Sequence, residues 1–400
     1  MQIAAETIVR GYERQTEQGK KQSVVPFYEY LRLDYGNLKG TGLTVHLNGW
    51  GRVDAADSYN RSTSSGELLH AYLQYLSPDR GTVLRVGRQY VLEGVARDSL
   101  DGVYGKKTYD TGVSASAYAG SPVTMSYGNG RAGDIIFGGK LAHTLPGIYD
   151  LGVSYKQVRD NGHTNDETVG ADLMVQLPGN ASLLGRSAYN PASGGWKEHS
   201  YELRMPVGPI ALTPFIQHYN YSDYFSNRSG SSSPFRYLQG SSIRLTIAGA
   251  EACWYPSDRQ EYVLKVKNHE YSGRFNSSQL YSLLAIWKLA ILSETGVEFG
   301  RMQGNDRENR YYLGRGYFFW DIKPAFLTGE AMYVHYDRDI YRKNHSLFAS
   351  LGGGSKFFND ALSVKLSMDY SSDPYFDEDI RWMLKVSYLF DKPSSEGLRR

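Results

Sequence analysis

Leu362-Ser363-Val364-Lys365-Leu366-Ser367-Met368-Asp369-Tyr370 alternates apolar and polar residues without interruption. A period of two puts Leu362, Val364, Leu366, Met368 and Tyr370 on one face and Ser363, Lys365, Ser367 and Asp369 on the other, which is the pattern of a strand with one face in an apolar medium. The next stretch repeats it, with Trp382, Leu384, Val386, Tyr388 and Phe390 opposing Arg381, Met383, Lys385, Ser387 and Leu389. Towards the amino terminus the pattern recurs. Val169, Ala171, Leu173, Val175 and Leu177 oppose Gly170, Asp172, Met174 and Gln176; Ile243, Leu245 and Ile247 oppose Ser242, Arg244 and Thr246; Leu69, Ala71, Leu73 and Tyr75 oppose His70, Tyr72 and Gln74. These runs last about ten residues, the length of a tilted membrane-crossing strand, whereas strands of soluble sheets average about five or six. The apolar faces end in Tyr, Trp or Phe, as at a membrane interface.

The connections alternate between tight and roomy. Tight ones centre on Ser77-Pro78-Asp79-Arg80, Tyr109 to Gly112, Leu145-Pro146-Gly147, Leu177 to Asn180, Pro206 to Pro209, Pro256 to Asp258, Asp321 to Pro324 and Phe358 to Asp360, all built from residues that set turns. Between them lie polar stretches read as loops: Asp54 to Ser65, Val91 to Leu100, Arg159 to Glu167, Ser187 to Gly195, Ser222 to Phe235, Gln303 to Asn309, Asp337 to Asn344 and Ser371 to Asp377. Short turns on one side and long loops on the other describe an outer-membrane barrel with the short side periplasmic. With Ile3 to Gly11 as first strand and Glu13 to Ser23 as first outer loop, the expectation is all-β: one transmembrane antiparallel barrel of about 22 strands, in a range of about 18–22. Thr111 to Tyr127 counts as one strand or, broken at Pro122, as two. The barrel is assigned residues 1–390 and a periplasmic tail residues 391–400.

Composition narrows the function. The chain has 400 residues, 44 Lys+Arg against 42 Asp+Glu, a formal net charge of +2, 43 Gly, 33 Tyr and one cysteine. A lone Cys253 excludes a disulfide framework, a Cys-based zinc site and c-type haem attachment. The balanced charge argues against nucleic acid as a partner. No run approaches the roughly 18 apolar residues of a spanning helix, and Met1 to Arg14, with Glu6, Arg10, Glu13 and Arg14, has no apolar signal-peptide core. A negative mean hydropathy is compatible with a barrel, whose strands average out polar.

Two stretches resemble a known family. The last strand, ending Tyr388-Leu389-Phe390, resembles the carboxy-terminal recognition strand of bacterial outer-membrane proteins, though a ten-residue tail, Asp391 to Arg400, follows. Leu84-Arg85-Val86-Gly87-Arg88-Gln89-Tyr90-Val91-Leu92-Glu93-Gly94-Val95, with Leu100-Asp101-Gly102-Val103, is similar to a strand, loop and returning strand of porin-like barrels, including those of metal-reducing bacteria. The resemblance implies a bacterial outer-membrane location, contact with outer-membrane lipid, assembly by the barrel-assembly machinery through Trp382, Leu384, Val386, Tyr388 and Phe390, and a periplasmic multihaem cytochrome as partner in a porin–cytochrome electron conduit. It implies no cofactor bound by this chain and no catalytic residue.

The nine histidines show no metal-ligand spacing, and His46, His70 and His335 read as wall or rim residues. Gly352-Gly353-Gly354 reads as a bend or a place where a large side chain packs over the sheet, not a phosphate cradle. The strand phases send Arg32, Asp34, Arg85, Lys156, Asp172, Glu202, Arg204, Arg244, Lys265, Lys267, Glu298, Glu330, Lys365, Asp369 and Lys385 to the lumen as pore-lining residues. Their mixed signs suit cross-strand pairing in a wet interior. No loop looks long enough to fill a lumen of about 22 strands. Three functions follow: a wide pore sheathing a cytochrome, a passive diffusion porin with weak anion preference, or a barrel carrying a wall-embedded hydrolase site. Protease added to intact cells is expected to cut within Ser222 to Phe235 and to spare the turns. Cleavage at Pro146-Gly147 with that loop untouched would invert the orientation.

Overall fold

The computed structural model of the chain describes residues 1–15, 21–56, 64–123, 134–160, 162–224, 244–272, 277–290, 292–305, 309–375 and 378–391. Strand β1 (Gln2–Gln15) opens the wall. Its neighbour comes in two parts, β2 (Lys21–Val24) and β3 (Pro26–Gly36), both paired with β1; Pro26 brings no N–H to the ladder, so the strand is interrupted at Val25. There follow β4 (Gly42–Asp54), β5 (Ser64–Leu76), β6 (Thr82–Glu93), β7 (Ala96–Thr108), β8 (Val113–Val123), β9 (Ile135–Leu145), β10 (Tyr149–Asp160), β11 (His163–Leu177), β12 (Ala181–Asn190), β13 (Gly195–Val207) and β14 (Ile210–Asn220). The wall continues through β15 (Arg244–Ser257), β16 (Gln260–Tyr271), β17 (Ser277–Ala290), β18 (Ser293–Gly304), β19 (Arg310–Ile322), β20 (Ala325–Ile340), β21 (Lys343–Phe357), β22 (Leu362–Ser372) and β23 (Asp379–Asp391). Every strand is antiparallel to its neighbours, and β23 closes on β1 from Gln2↔Asp391 to Tyr12↔Arg381 without a break. The sheet has 23 segments, and because β2 and β3 share one place in the wall it is a closed barrel of 22 strands.

Closure and alternation explain one another. Leu31, Val86, Val153, Phe299, Leu351 and Leu366 are each more than half exposed, yet they belong to continuous apolar rows; such rows are stable only against lipid. The opposite face carries most of the ion pairs and is the inner face, whereas Arg301–Asp337 and Arg88–Asp101 lie on the outward-facing phase of their strands. Several outer and inner rows seat an aromatic ring on the glycine directly across the ladder: Trp382 on Gly11, Tyr118 on Gly138, Tyr201 on Gly185, Tyr317 on Gly296, Phe318 on Gly329 and Phe326 on Gly354. The ring covers backbone that glycine would leave bare. This accounts for the third residue of Gly352-Gly353-Gly354.

One end of the barrel has tight turns, closed by bonds such as Arg80 N–H to Ser77 O at 2.8 Å, Gly112 N–H to Tyr109 O at 2.9 Å and Ile148 N–H to Leu145 O at 3.0 Å. Gly147 sits at φ 76°, a left-handed conformation that glycine adopts without strain. Both ends of the strand series, Gln2 and Asp391, lie at this end.

Several sequence expectations need correction. Ladders run into several of the polar stretches expected as loops: β10 and β11 leave only residues 161–162 between them and β12 and β13 only 191–194, while β20 and β21 are joined by Tyr341 and Arg342 but break register between His335 and Ile340. Polar residues hold a ladder as well as apolar ones, because the backbone makes the bonds. Thr111 to Tyr127 contains one strand, β8, with Pro122 opposite Leu100 near its end. A bulge between Asn48 and Gly49 moves the outer row of β5 from Leu69 to Leu68. The phase of β15 is reversed: Ala248, Ala250 and Ala252 pair with the outer residues Ile216, Val266 and Leu264, so Leu245 and Ile247 face inwards and Arg244 faces outwards. The three-residue row Ile243, Leu245, Ile247 was too short to fix the phase against the longer alanine row that ends at Trp254. Most of Ser222 to Phe235, the middle of Glu13 to Ser23 and the tail 392–400 lie outside the described residues.

Arg in place of Leu366, on the lipid face, is expected to destabilise the barrel by about 2–4 kcal/mol, whereas Arg in place of Met174, apolar but on the inner face and 42% exposed, costs little. Denaturant titration by tryptophan fluorescence measures both, and equal costs would mean the faces are exchanged. Deleting Trp382 to Phe390 opens the β1–β23 seam and is expected to abolish the heat-resistant band on a cold gel.

Candidate functional site

The β6–β7 hairpin does not stay in the wall. β6 pairs with β5 only from Val83↔Leu76 to Arg88↔Ala71, while its continuation, Gln89 to Glu93, pairs solely with β7. From that point the hairpin turns inwards across the inner face of β8 to β11. Val91, Ala96 and Leu100 pack with Tyr104, Tyr118 and Ile136 in a buried apolar cluster flanked by Val83 and Val158. At the tip, Val95 N–H donates to Ser154 Oγ at 3.1 Å, and Val95 lies against Gly170, where a Cβ would collide with it. Burying Val91 and Leu100 contributes about 1.5–3 kcal/mol each, enough to hold the hairpin in place. Tyr90 and Leu92 on its other face remain 42% and 67% exposed. Val91 to Leu100, expected as an outer loop, is therefore an element of the lumen, and its length of strand on each side of Gly94 is what lets it reach the far wall.

Charged contacts fasten the same hairpin. Lys156 Nζ donates to Asp98 Oδ2 at 3.2 Å and lies 3.0 Å from Asp166, which Lys197 Nζ meets at 2.9 Å. Lys197 reaches the inner face because a bulge at Ala188/Tyr189 leaves it unpaired beside Glu198. Tyr104 Oη donates to Glu93 at 2.5 Å, with Lys106 at 3.4 Å from the same carboxylate. A second inward element follows β14: helix α1 (Tyr221–Tyr224) sets its Tyr224 ring over Lys197, and the fully buried Asn190 donates to Asp223 O at 2.9 Å.

All the sequence-selected lumen residues except Arg244 lie on the inner face, and most are paired there. Arg32 meets Asp34 at 2.6 Å, Arg204 meets Glu202 at 2.5 Å, Lys265 meets Glu251 at 3.5 Å and Lys385 meets Glu6 at 2.6 Å. Glu298 and Glu330 share Arg315, and Asp172 takes Lys140 at 2.6 Å across Gly152, whose missing side chain leaves room for the pair. Asp369 accepts from Ser350, Arg85 donates to Gln74, and Lys267 lies over the Phe215 ring. The partners Lys140, Lys197, Glu198 and Arg315 were missed; alternation in their own strands marks Lys140 and Arg315, but no local pattern reveals the bulge that turns Lys197 inwards.

Two constellations have the residue types of nucleophilic catalysis. Thr44 Oγ1 lies 2.9 Å from His46 Nε2, whose Nδ1 is 2.6 Å from Asp34. The Thr44 residue is only 6% exposed and also donates to Gln74 O, so no substrate reaches the hydroxyl. On the outer face Ser187 Oγ lies 2.7 Å from His199 Nδ1 and 2.6 Å from Tyr201 Oη; among the described residues no carboxylate bonds His199, leaving nothing to orient the imidazole. Both satisfy wall polar groups. Also on the outer face, between Leu31 and Phe27, Glu29 accepts from Thr7 at 2.6 Å, a carboxylate in an apolar row that alternation alone would not place there. Among the described residues no group of His, Cys, Asp and Glu is arranged to hold a metal ion.

No protein-family model matches the chain, and no curated protein matches its sequence. Solved structures do match its shape. The P pilus usher (PapC) translocation pore aligns with a TM-score of 0.53 over 97% of this chain and 100% of that one, at 9% identity. Acinetobacter baumannii OccAB2 aligns with a TM-score of 0.49 at 12% identity over 97% of each chain, and Pseudomonas aeruginosa OpdQ with 0.45 at 12% identity over 97% and 98%. At such identities the likeness is one of fold: the chain is a closed antiparallel barrel of 22 strands.

Proposed function

We propose that the chain is an outer-membrane channel for polar solutes, with its bore narrowed by the inward hairpin. The carrying observation is the hairpin Gln89 to Asp98, which crosses the inner wall and is latched to it by the Val91/Leu100 cluster and the Asp98–Lys156 pair. A barrel of about 22 strands is wide enough to need such filling, and this one fills part of its lumen with its own chain. The reading as a cytochrome sheath needs that space for a folded partner, and the latched hairpin favours the channel instead. With Arg244 outside and most inner cations paired, the charge preference of the pore is expected to be small and screened by salt.

Single-channel recording in planar bilayers tests this. Replacing Val91 to Asp98 by Asn-Gly, a two-residue hairpin turn between the paired Tyr90 and Ser99, is expected to raise the conductance clearly above that of the native barrel. A Val95→Cys/Gly170→Cys pair, made with Cys253→Ser, is expected to crosslink on oxidation without changing conductance. Unchanged conductance in the shortened variant would remove the hairpin from the path, and a native preparation that carries haem and does not conduct would restore the sheath.

A further inference from the structure

The inner face of β1 to β6 differs from the rest of the lumen in how its cations are held. Elsewhere carboxylates answer most of the lysines and arginines, as in Lys140–Asp172, Arg186–Glu198 and Arg315–Glu330, although Lys267 lies over Phe215. In this sector aromatic rings do. Arg10 and Arg52 both lie over Tyr28, at 5.8 and 5.7 Å from the ring centre, and Arg85 lies over Tyr72 at 5.6 Å and Tyr104 at 5.2 Å. Among the described residues no carboxylate bonds Arg10 or Arg85. Arg52 has Asp54 only at 3.5 Å, and Arg32, its side chain 60% exposed, shares Asp34 with His46. The inner face of the sector also carries Glu6, which Lys385 takes, and Glu67, opposite Trp50; the four guanidiniums themselves are bonded by two carboxylates, Asp34 and Asp54. A guanidinium laid on a ring keeps N–H donors at its edge, the shape that binds a carboxylate with two parallel bonds; Arg85 gives its Nε–H to Gln74, which leaves its paired Nη groups at the edge.

The four form a track. Arg52 and Arg10 are separated by two strand spacings, roughly 10 Å, and Arg32 and Arg85 by three, roughly 14 Å, with Arg32 about 13 Å further along β3 than Tyr28. Neutral polar groups fill the gaps: Asn48 lies opposite Arg32, and Gln74 opposite Arg85. The track ends at the foot of the hairpin at Tyr104, whose hydroxyl bonds Glu93 beside the tip. A single small anion would use one fork at a time, whereas a chain with carboxylates at intervals and hydroxyls between them matches forks and amides together. Single-stranded nucleic acid fits less well, because base stacking needs open ring faces and guanidiniums occupy those of Tyr28, Tyr72 and Tyr104.

We propose that this track binds an acidic oligosaccharide, a chain of uronic-acid units, on its way past the hairpin. The proposal rests on the channel reading. Isothermal titration of the detergent-purified barrel with oligogalacturonate of six to ten units, maltohexaose as the neutral control and galacturonate as the monomer reads binding whether or not the barrel conducts. Failure to conduct would sink the channel reading, and failure to bind would sink this one. Oligogalacturonate is expected to bind, maltohexaose to bind negligibly and the monomer far more weakly. Arg52→Gln and Arg85→Gln are each expected to weaken oligogalacturonate about tenfold, the worth of one charged hydrogen-bonded contact. Arg85→Lys should recover only part, and Lys265→Gln, in a paired sector, should change nothing. Heat-modifiable migration on gels confirms that each variant is folded. Equal binding of maltohexaose, equal losses from Lys265→Gln and Arg85→Gln, or tighter binding of a single-stranded oligonucleotide would each overturn the proposal.

Discussion

A backbone N–H or C=O exposed to hydrocarbon without a partner costs several kcal/mol, and the rest of this molecule follows from avoiding that. A sheet in lipid has to close, so β23 pairs with β1 over the whole height of the wall. The place where β6 abandons the ladder shows the same constraint from the other side. When β6 leaves β5 after Arg88, the β5 edge from Ser64 to His70 loses its neighbour. Arg88 remains behind to bridge the step: Nη1 donates to Leu68 O at 3.0 Å while Nε and Nη2 grip Asp101 at 2.8 and 2.7 Å. One side chain therefore caps an orphaned carbonyl and ties β5 to β7 across the departed strand.

The architecture was legible because lipid imposes a rule on each strand separately. Leu362 to Tyr370 and Trp382 to Phe390 reveal their faces by alternation alone, and the structure places both as read. The rule weakens where the outer face is built of small residues. In β15 the lipid side is Ala248, Ala250 and Ala252, and the bulkier Leu245 and Ile247 point inwards, so hydrophobicity over three positions gave the wrong side for Arg244. Where backbone hydrogen bonding rather than side-chain polarity decides, as in the upper parts of β10 and β11, polar residues read as a loop although the ladder runs on.

The site was less legible because it is made by contacts distant in sequence. Nothing local in Gln89 to Asp98 distinguishes a hairpin that rises from the membrane from one that folds into the lumen. The apolar pair Val91 and Leu100 is informative only once Tyr118, Ile136 and Val158 are known to lie on the wall it faces. Similarly, alternation identified Lys156 and Asp172 as inward, but it could not tell that Lys156 would be spent on Asp98 and Asp166. Phase determines which residues are available to the lumen; partners determine what they do there.

Those partners divide the lumen into two kinds of wall. Where an inward cation faces an inward carboxylate across one or two strands, the pair satisfies itself and presents solutes with little net field, because each charge screens the other at about 3 Å. Where the cation lies on a ring, as Arg10, Arg52 and Arg85 do, the ring is weakly attractive and does not neutralise it, so the field of the guanidinium extends into the bore. The hairpin covers β8 to β11, sectors of the first kind, and leaves the second kind open. A formal net charge of only +2 therefore understates the local charge on the inner face of β1 to β6, where guanidiniums lie on rings.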